Sequence, residues 1–576
     1  MRLTSFRLLG ATALALTSVP AIAQNMGPFD PARLSATDKT ISDDSFQGRG
    51  PATPAEQKTI DYIAEQFRAA GVQPGGDVVN GQRQWTQNVP LLQSSWTASP
   101  QMTLALDGKP VALTQGEQIA ARAPTNGMKG LDLKNVPLVF AGYGVKAPER
   151  GWDDFKGQDM HGKIMVVLIN DPDFEGGEGK FEGKAMTYYG RWTYKYEEGA
   201  RQGAAGVLVI HETDPASYGW NTVKNSNTNT MFDIVRDNPA AEHPPLEAWI
   251  QRDLAKQIFA ASGLDFEAMK AAARRQNFKP VPLKATLTLN GTADAHVITS
   301  HNVVGLLPGK TYPDETVIYS AHWDHLGVGK PDETGDTIYN GALDNATGIS
   351  QLIEQARVFA KEPRTDRSIV FLAVTAEEKG LLGSEYYAQN PLFPVAKTAG
   401  VINTDGGSIY GPAKNFTISG NAKLGLLDML IAEGKKEGRY YSPDPHPEAG
   451  HCYRSDHFSF AKVGVPAISF GDGNDLVNGG VKRGEQLSEE YVTRHYHQPS
   501  DEWSAEWDFR GMAEDANLLH NLGRDLANSR EWPNWSADSE FRATRDATAA
   551  ERGGATPAPA PAPLPADNPP KKGERG

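Results

Sequence analysis

Val317-Ile318-Tyr319-Ser320-Ala321-His322-Trp323-Asp324 opens the stretch whose reading decides the fold. It is followed by Gly341-Ala342-Leu343-Asp344-Asn345-Ala346-Thr347-Gly348, then by Ile369-Val370-Phe371-Leu372-Ala373-Val374-Thr375 ending in Glu377-Glu378, and last by Gly400-Val401-Ile402-Asn403-Thr404-Asp405. Short apolar runs alternating with a helical pattern predict parallel α/β units, whose chemistry collects just past the carboxyl ends of the strands. His322, Glu377, Glu378 and Asp405 all fall there. Ile349, Leu352, Ile353, Ala356 and Phe359 form one helical stripe, so Asp344 is expected in the turn before a helix.

Taken singly, each acid or histidine has a plain reading. Asp344 would cap a helix, Glu377-Glu378 would be a solvated pair, Asp405 a turn acid and His497 a surface histidine. Together they sit at the ends of successive elements. Two histidines (His322, His497) and three carboxylates (Asp344, Glu378, Asp405) are what two zinc ions sharing one bridging carboxylate require. Two such ions about 3.5–4 Å apart act jointly on a carbonyl and a water.

These motifs resemble the zinc-dependent exopeptidase family of bacterial leucyl aminopeptidases and glutamate carboxypeptidase-like proteins. The resemblance runs from about Asp43 to Trp507 and includes Asn403-Thr404-Asp405, Arg454-Ser455-Asp456-His457-Phe458 and His497-Gln498-Pro499-Ser500-Asp501. It implies an α/β fold with a mixed, mostly parallel sheet flanked by helices. It also implies two Zn2+ per chain: His322 and Asp405 hold one, Glu378 and His497 the other, and Asp344 bridges them. Asp324 would orient His322 through the free ring N–H. Glu377 would be the general base, taking a proton from the attacking water and delivering it to the leaving amine. Tyr453 occupies the position of an oxyanion donor in relatives. Gly406-Gly407 depart from the bulky residue that many relatives place after the Asp405 position.

The segment with Phe140-Ala141-Gly142-Tyr143-Gly144 and Trp152-Asp153-Asp154-Phe155 resembles a protease-associated domain, β-rich and inserted in the catalytic part. The expected division is a signal peptide at 1–23, a discontinuous catalytic domain at 24–131 and 278–540, the insert at 132–277, and a disordered Pro/Ala-rich tail at 541–576. The Gly- and Asn-rich stretch Tyr218 to Thr230 reads as a loop. The insert is expected to cover the active-site mouth.

A chain of 576 residues is too long for one core. Its formal charge of -14, with no basic block, argues against nucleic acid and anionic membrane as partners. Arg2 and Arg7, a short apolar core and Ala21-Ile22-Ala23 read as a cleaved signal peptide, hence a periplasmic or secreted protein with no membrane insertion after cleavage. The single cysteine, Cys452, excludes a disulfide framework. The expected activity is removal of N-terminal residues from peptides. A carboxypeptidase or dipeptidase on the same metals remains open, because an aminopeptidase needs acids for the substrate ammonium and a carboxypeptidase needs Arg or Lys for the carboxylate. A non-catalytic binding protein and a one-zinc acyltransferase are disfavoured, since every ligand position is filled.

Overall fold

The computed structural model describes residues 26–420 and 422–553. The signal-peptide reading of 1–23 therefore lies outside the described residues, as does the tail beyond 553.

Four parallel strands form the centre of the catalytic sheet. Tyr312–His322 lies between Arg367–Val374 and Thr398–Thr404, and Ala467–Gly471 follows on the far side of Thr398–Thr404. Antiparallel strands complete both edges: Asn415–Ile418 beyond Ala467–Gly471, and the second half of Val281–Leu307 with Thr86–Trp96 beyond Arg367–Val374. The sheet is thus mixed with a parallel middle.

The continuous apolar runs are explained by burial on both faces. Val317, Tyr319, Ile369 and Phe371 point to one core, shared with the helices Pro54–Ala70, Thr347–Lys361, Gly425–Lys436 and Arg510–Asn528. Ile318, Val370, Leu372 and Val401 point to the other, against Tyr387 and Phe460 of the helices Leu382–Gln389 and His457–Lys462. The stripe Ile349, Leu352, Ile353, Ala356 and Phe359 is buried as its spacing predicts. Gly383 is required by close approach: a Cβ there would lie 2.2 Å from the Thr375 carbonyl oxygen, just before Glu377.

A second unit has its own cores and its own strands, among them Gly130–Phe140, Ile164–Leu168, Gly206–His211 and Leu246–Gln251, which run parallel to one another. Its limits differ from the expected 132–277. Gln101–Leu106 pairs with the first half of Val281–Leu307, and Ile119–Ala121 pairs with Leu246–Gln251. Met102, Leu104 and Ile119 join the second core. The unit therefore spans about 97–292, and the 27-residue strand Val281–Leu307 passes from its sheet into the catalytic sheet. Alternating strands look alike in either sheet, which is why composition misplaced this boundary.

Two further expectations are corrected. The stretch Tyr218 to Thr230 contains the helix Trp220–Asn227, anchored by buried Val223. The expected tail is ordered in its first part. Helix Arg542–Ala547 and the turn Ala549–Arg552 follow Phe541, whose ring lies 5.0 Å from that of Trp535. Buried Arg545 donates through Nη2 to the Thr398 carbonyl at 3.0 Å. Phe541 and Arg545 anchor the segment despite the alanine-rich composition around them.

Candidate metal centre

The site lies at the carboxyl ends of the parallel strands. His322 is the last residue of Tyr312–His322, Asp405 follows Thr398–Thr404, and Glu377-Glu378 follow Arg367–Val374 in a short 3-10 turn, Glu377–Lys379. Asp344 lies in the turn Ala342–Ala346 that feeds the helix Thr347–Lys361. Its position is set by Asp501, whose carboxylate receives the backbone N–H of Leu343 at 3.0 Å and of Asp344 at 3.2 Å. Asn345 ties this turn to the next strand, donating to the Thr404 carbonyl and accepting from the Gly406 N–H. His497 arrives from a distant loop after the helix Gly480–Arg494, with a left-handed φ of 58°.

All five predicted ligands converge. His322 Nε2 is 3.0 Å from Asp405 Oδ1 and 3.3 Å from Asp344 Oδ1. His497 Nε2 is 3.2 Å from Asp344 Oδ2 and 3.3 Å from Glu378 Oε2. Each oxygen of Asp344 thus faces a different histidine. Two groups have ligand atoms all within 4.8 Å of one another: His322, Asp344 and Asp405, and His325, Asp344 and Glu378.

His325 is not among the ligands predicted from the sequence. It is fully buried, and its Nδ1 lies 2.7 Å from Glu378 Oε1. Its place directly after Asp324 was the available signal.

Asp324 does not act on His322 as expected. The His322 Nδ1 proton is directed to the backbone carbonyl of Asp324 at 3.0 Å, while the carboxylate is 3.9 Å away. That carboxylate instead accepts the N–H of Glu377 at 3.0 Å and of Glu378 at 3.4 Å. Burial raises the Asp324 pKa to about 6, against the pull of His322.

The electrostatics are those of an acid-rich cluster. Burial and the carboxylates of Asp405 and Glu378 push Glu377 well above the ordinary range, although His322 opposes them. Burial would lower His497, but Asp344 and Glu378 outweigh it and hold it at about 10. Glu378 is held near 2, because His325 and His497 overcome burial and the repulsion of Asp344. Such crowding of carboxylates around buried imidazole nitrogens fits bound divalent cations.

Tyr453 lines the same cavity as Glu377, Glu378 and His497. Its ring packs on Phe458 and Tyr188, and the charges acting most on its hydroxyl, after burial, are those of Glu540, Cys452 and Glu182. Tyr496 is better placed. Its ring stacks on His497 with centroids 3.8 Å apart, and Asp344, Glu378, Glu377 and Asp405 are the charges around its hydroxyl. Burial and those acids push that hydroxyl well above its ordinary pKa. Its adjacency to His497 was the missed signal.

Two cavities meet at this point. One of 210 Å³ is lined by Asp344, Glu377, Asp405, Gly406, Arg454 and Tyr496. The other, of 430 Å³, runs between the two units and shares Glu377, Arg454 and Tyr496. Gly406 has φ 103° and an open side, so no side chain from this position fills the smaller cavity.

Fold and site together define an α/β protein with a candidate metal centre at the carboxyl ends of its parallel strands. Residues 302–519 match the family model "Peptidase family M28", and the chain carries a domain of that family. It is similar to a probable zinc metalloprotease of Pyricularia oryzae, 38% identical over 104 residues, which is 18% of this chain and 20% of that protein. It is also similar to the aminopeptidase YwaD of Bacillus subtilis, 27% identical over 191 residues, 33% of this chain and 34% of that protein. The match therefore spans a fifth to a third of those relatives. An aminopeptidase from Aneurinibacillus sp. strain AM-1 is a structural neighbour at 20% identity and TM-score 0.47, covering 89% of this chain and 97% of that one.

Proposed function

We propose that the chain is a two-zinc exopeptidase that removes N-terminal residues from peptides. The observation that carries this reading is the shared Asp344 carboxylate, with one oxygen 3.3 Å from His322 and the other 3.2 Å from His497. His322 and Asp405 would hold one ion, Glu378 and His497 the other, with His325 beside Glu378. Zinc bound there supplies Lewis acidity, polarising a carbonyl and acidifying a water.

The chain's own residues do the rest. Glu377, fixed by its backbone to Asp324, takes the proton of the attacking water and passes it to the leaving amine. Tyr496, kept protonated by burial and its acidic neighbours, donates to the developing oxyanion. The acids of the cluster suit a substrate ammonium group, which favours an aminopeptidase. A carboxypeptidase or dipeptidase is the second reading, supported by Arg454 on the wall of the smaller cavity. The second unit, read as a protease-associated insert, forms one wall of the larger cavity through Arg191 and Trp192 and would limit access to short or unfolded peptides. Residues 1–23 support work in the periplasm or medium.

The test is hydrolysis of a leucyl chromogenic amide against its N-acetylated form, with Glu377→Ala as control. Cleavage of the free amine alone, lost in the variant, is the expected result. Cleavage of both, or of neither, overturns the aminopeptidase reading.

A further inference from the structure

The smaller cavity contains one acid that the metal cluster does not use. Asp472 lines it together with Asp344, Glu377, Asp405 and Gly406. It leaves the sheet at the same end as Asp405. The parallel strands Thr398–Thr404 and Ala467–Gly471 are paired as far as Thr404 and Phe470, and Asp405 and Asp472 follow. Asp472 is exposed, and among the described residues its carboxylate forms neither a hydrogen bond nor an ion pair.

This acid lacks a cation of its own. Among the described residues the charged groups acting on it are Asp515 and Arg439, and Arg439 is already held by Asp515 at 2.6 Å. The enclosing protein and repulsion from Asp515 raise the carboxyl well above the ordinary range, against the pull of Arg439. A cation brought into the cavity would relieve that state. Asp344, Glu377 and Asp405 do not act on Asp472, which sets it at the end of the cavity away from the metal cluster. Arg454 lines the same cavity but does not act on Asp472 either. It gives Nη2 to Ser217 Oγ at 3.0 Å and lies over the Tyr218 ring, both in the second unit.

The rest of the wall suits a long side chain. Leu343, Tyr491 and Tyr496 offer apolar surface to a methylene stem, and Gly406 leaves the way from Asp405 open. At 210 Å³ the cavity is smaller than the about 300 Å³ at which pockets for whole ligands begin, and it suits one side chain.

We propose that this cavity receives the side chain of the substrate's first residue and that Asp472 selects lysine or arginine there. The proposal rests on the aminopeptidase reading above and adds the substrate class. The α-ammonium would stay with the acids beside the metals, so the two positive groups of such a residue meet different carboxylates.

The test compares kcat/KM for the p-nitroanilides of lysine and norleucine, and of arginine and citrulline, in the zinc-loaded wild type, Asp472→Asn and Asp472→Glu. Each pair differs in charge at nearly constant shape. The expected result is a preference of at least about tenfold for the charged member of at least one pair, lost in Asp472→Asn and partly kept in Asp472→Glu. Equal rates within both pairs overturn the proposal. So does a preference that Asp472→Asn leaves intact, including one where both members slow equally, which would assign Asp472 to the α-ammonium. If no anilide is cleaved, the aminopeptidase reading fails, and calorimetric titration with lysinamide and norleucinamide decides the subsite. Tighter binding of lysinamide that depends on Asp472 supports it; equal affinities overturn it.

Discussion

The carboxylate of Asp324 receives the backbone N–H of Glu377 at 3.0 Å. One buried acid thereby fixes the strand end that carries both the proposed base and the adjacent candidate ligand Glu378, while its backbone carbonyl orients His322. Asp324 is fully buried, so its charge is compensated only by these few partners.

Asp324→Asn keeps the shape but replaces one accepting oxygen by a donor amide facing an N–H. Zinc affinity is expected to fall on the order of 10–100-fold, with loss of activity. Competition with a chromophoric chelator measures it. Unchanged affinity and turnover would show that the carboxylate has no part in holding Glu377 and Glu378.

Asp344 contributes to both halves of the cluster. Replacing it with Asn weakens the charge on each, so zinc content is expected to drop from about two per chain to below one, and activity with it. Metal analysis after dialysis gives the count. Retention of two ions would mean that Asp344 is not shared, and the bridging assignment would be abandoned.

On the wall of the larger cavity, His243 lies between Asp233, 2.9 Å from Nε2, and Glu247, 2.7 Å from Nδ1. Burial disfavours the imidazolium, but the two carboxylates outweigh it and raise the pKa to about 10. A raised folded pKa contributes stability that is complete below the ordinary imidazole value near 6.5 and is lost as pH rises through about 10. The contribution is at most on the order of 5 kcal/mol. An NMR titration of His243 is expected to show it still charged at pH 8. Chemical denaturation is expected to show His243→Leu destabilised at pH 6 and closer to the wild type at pH 10. A His243 midpoint near 6.5 would remove the ion-paired account.

Four of the five candidate ligands were legible because each closes a short local pattern. An apolar run fully buried on both faces must be an interior strand, and its last residue must stand at the sheet edge where the chain turns. His322, Glu378 and Asp405 follow from that rule, and Asp344 from the helical stripe after it. His497 was legible only through resemblance, since no local periodicity marks its loop.

What was not legible depends on partners far along the chain. The second unit begins near residue 97 because strands there pair with residues 281–292, and an alternating strand carries no mark of its partner. The ordered segment after Glu540 depends on the depth at which Arg545 and Phe541 are buried. Gly406 reads as a gap in the motif, but only its open surroundings show that it widens a cavity.

By itself, the sequence determined the strand–helix succession and the residues able to hold metal, because burial periodicity and donor chemistry are properties of neighbours in the chain. Only the tertiary structure decided that Tyr496 stacks on His497 among the acids of the cluster, and that Asp324 holds Glu377. Those outcomes turn on the direction of side chains and on which charges are already neutralised. Both are fixed by contacts between residues that are tens to hundreds of positions apart.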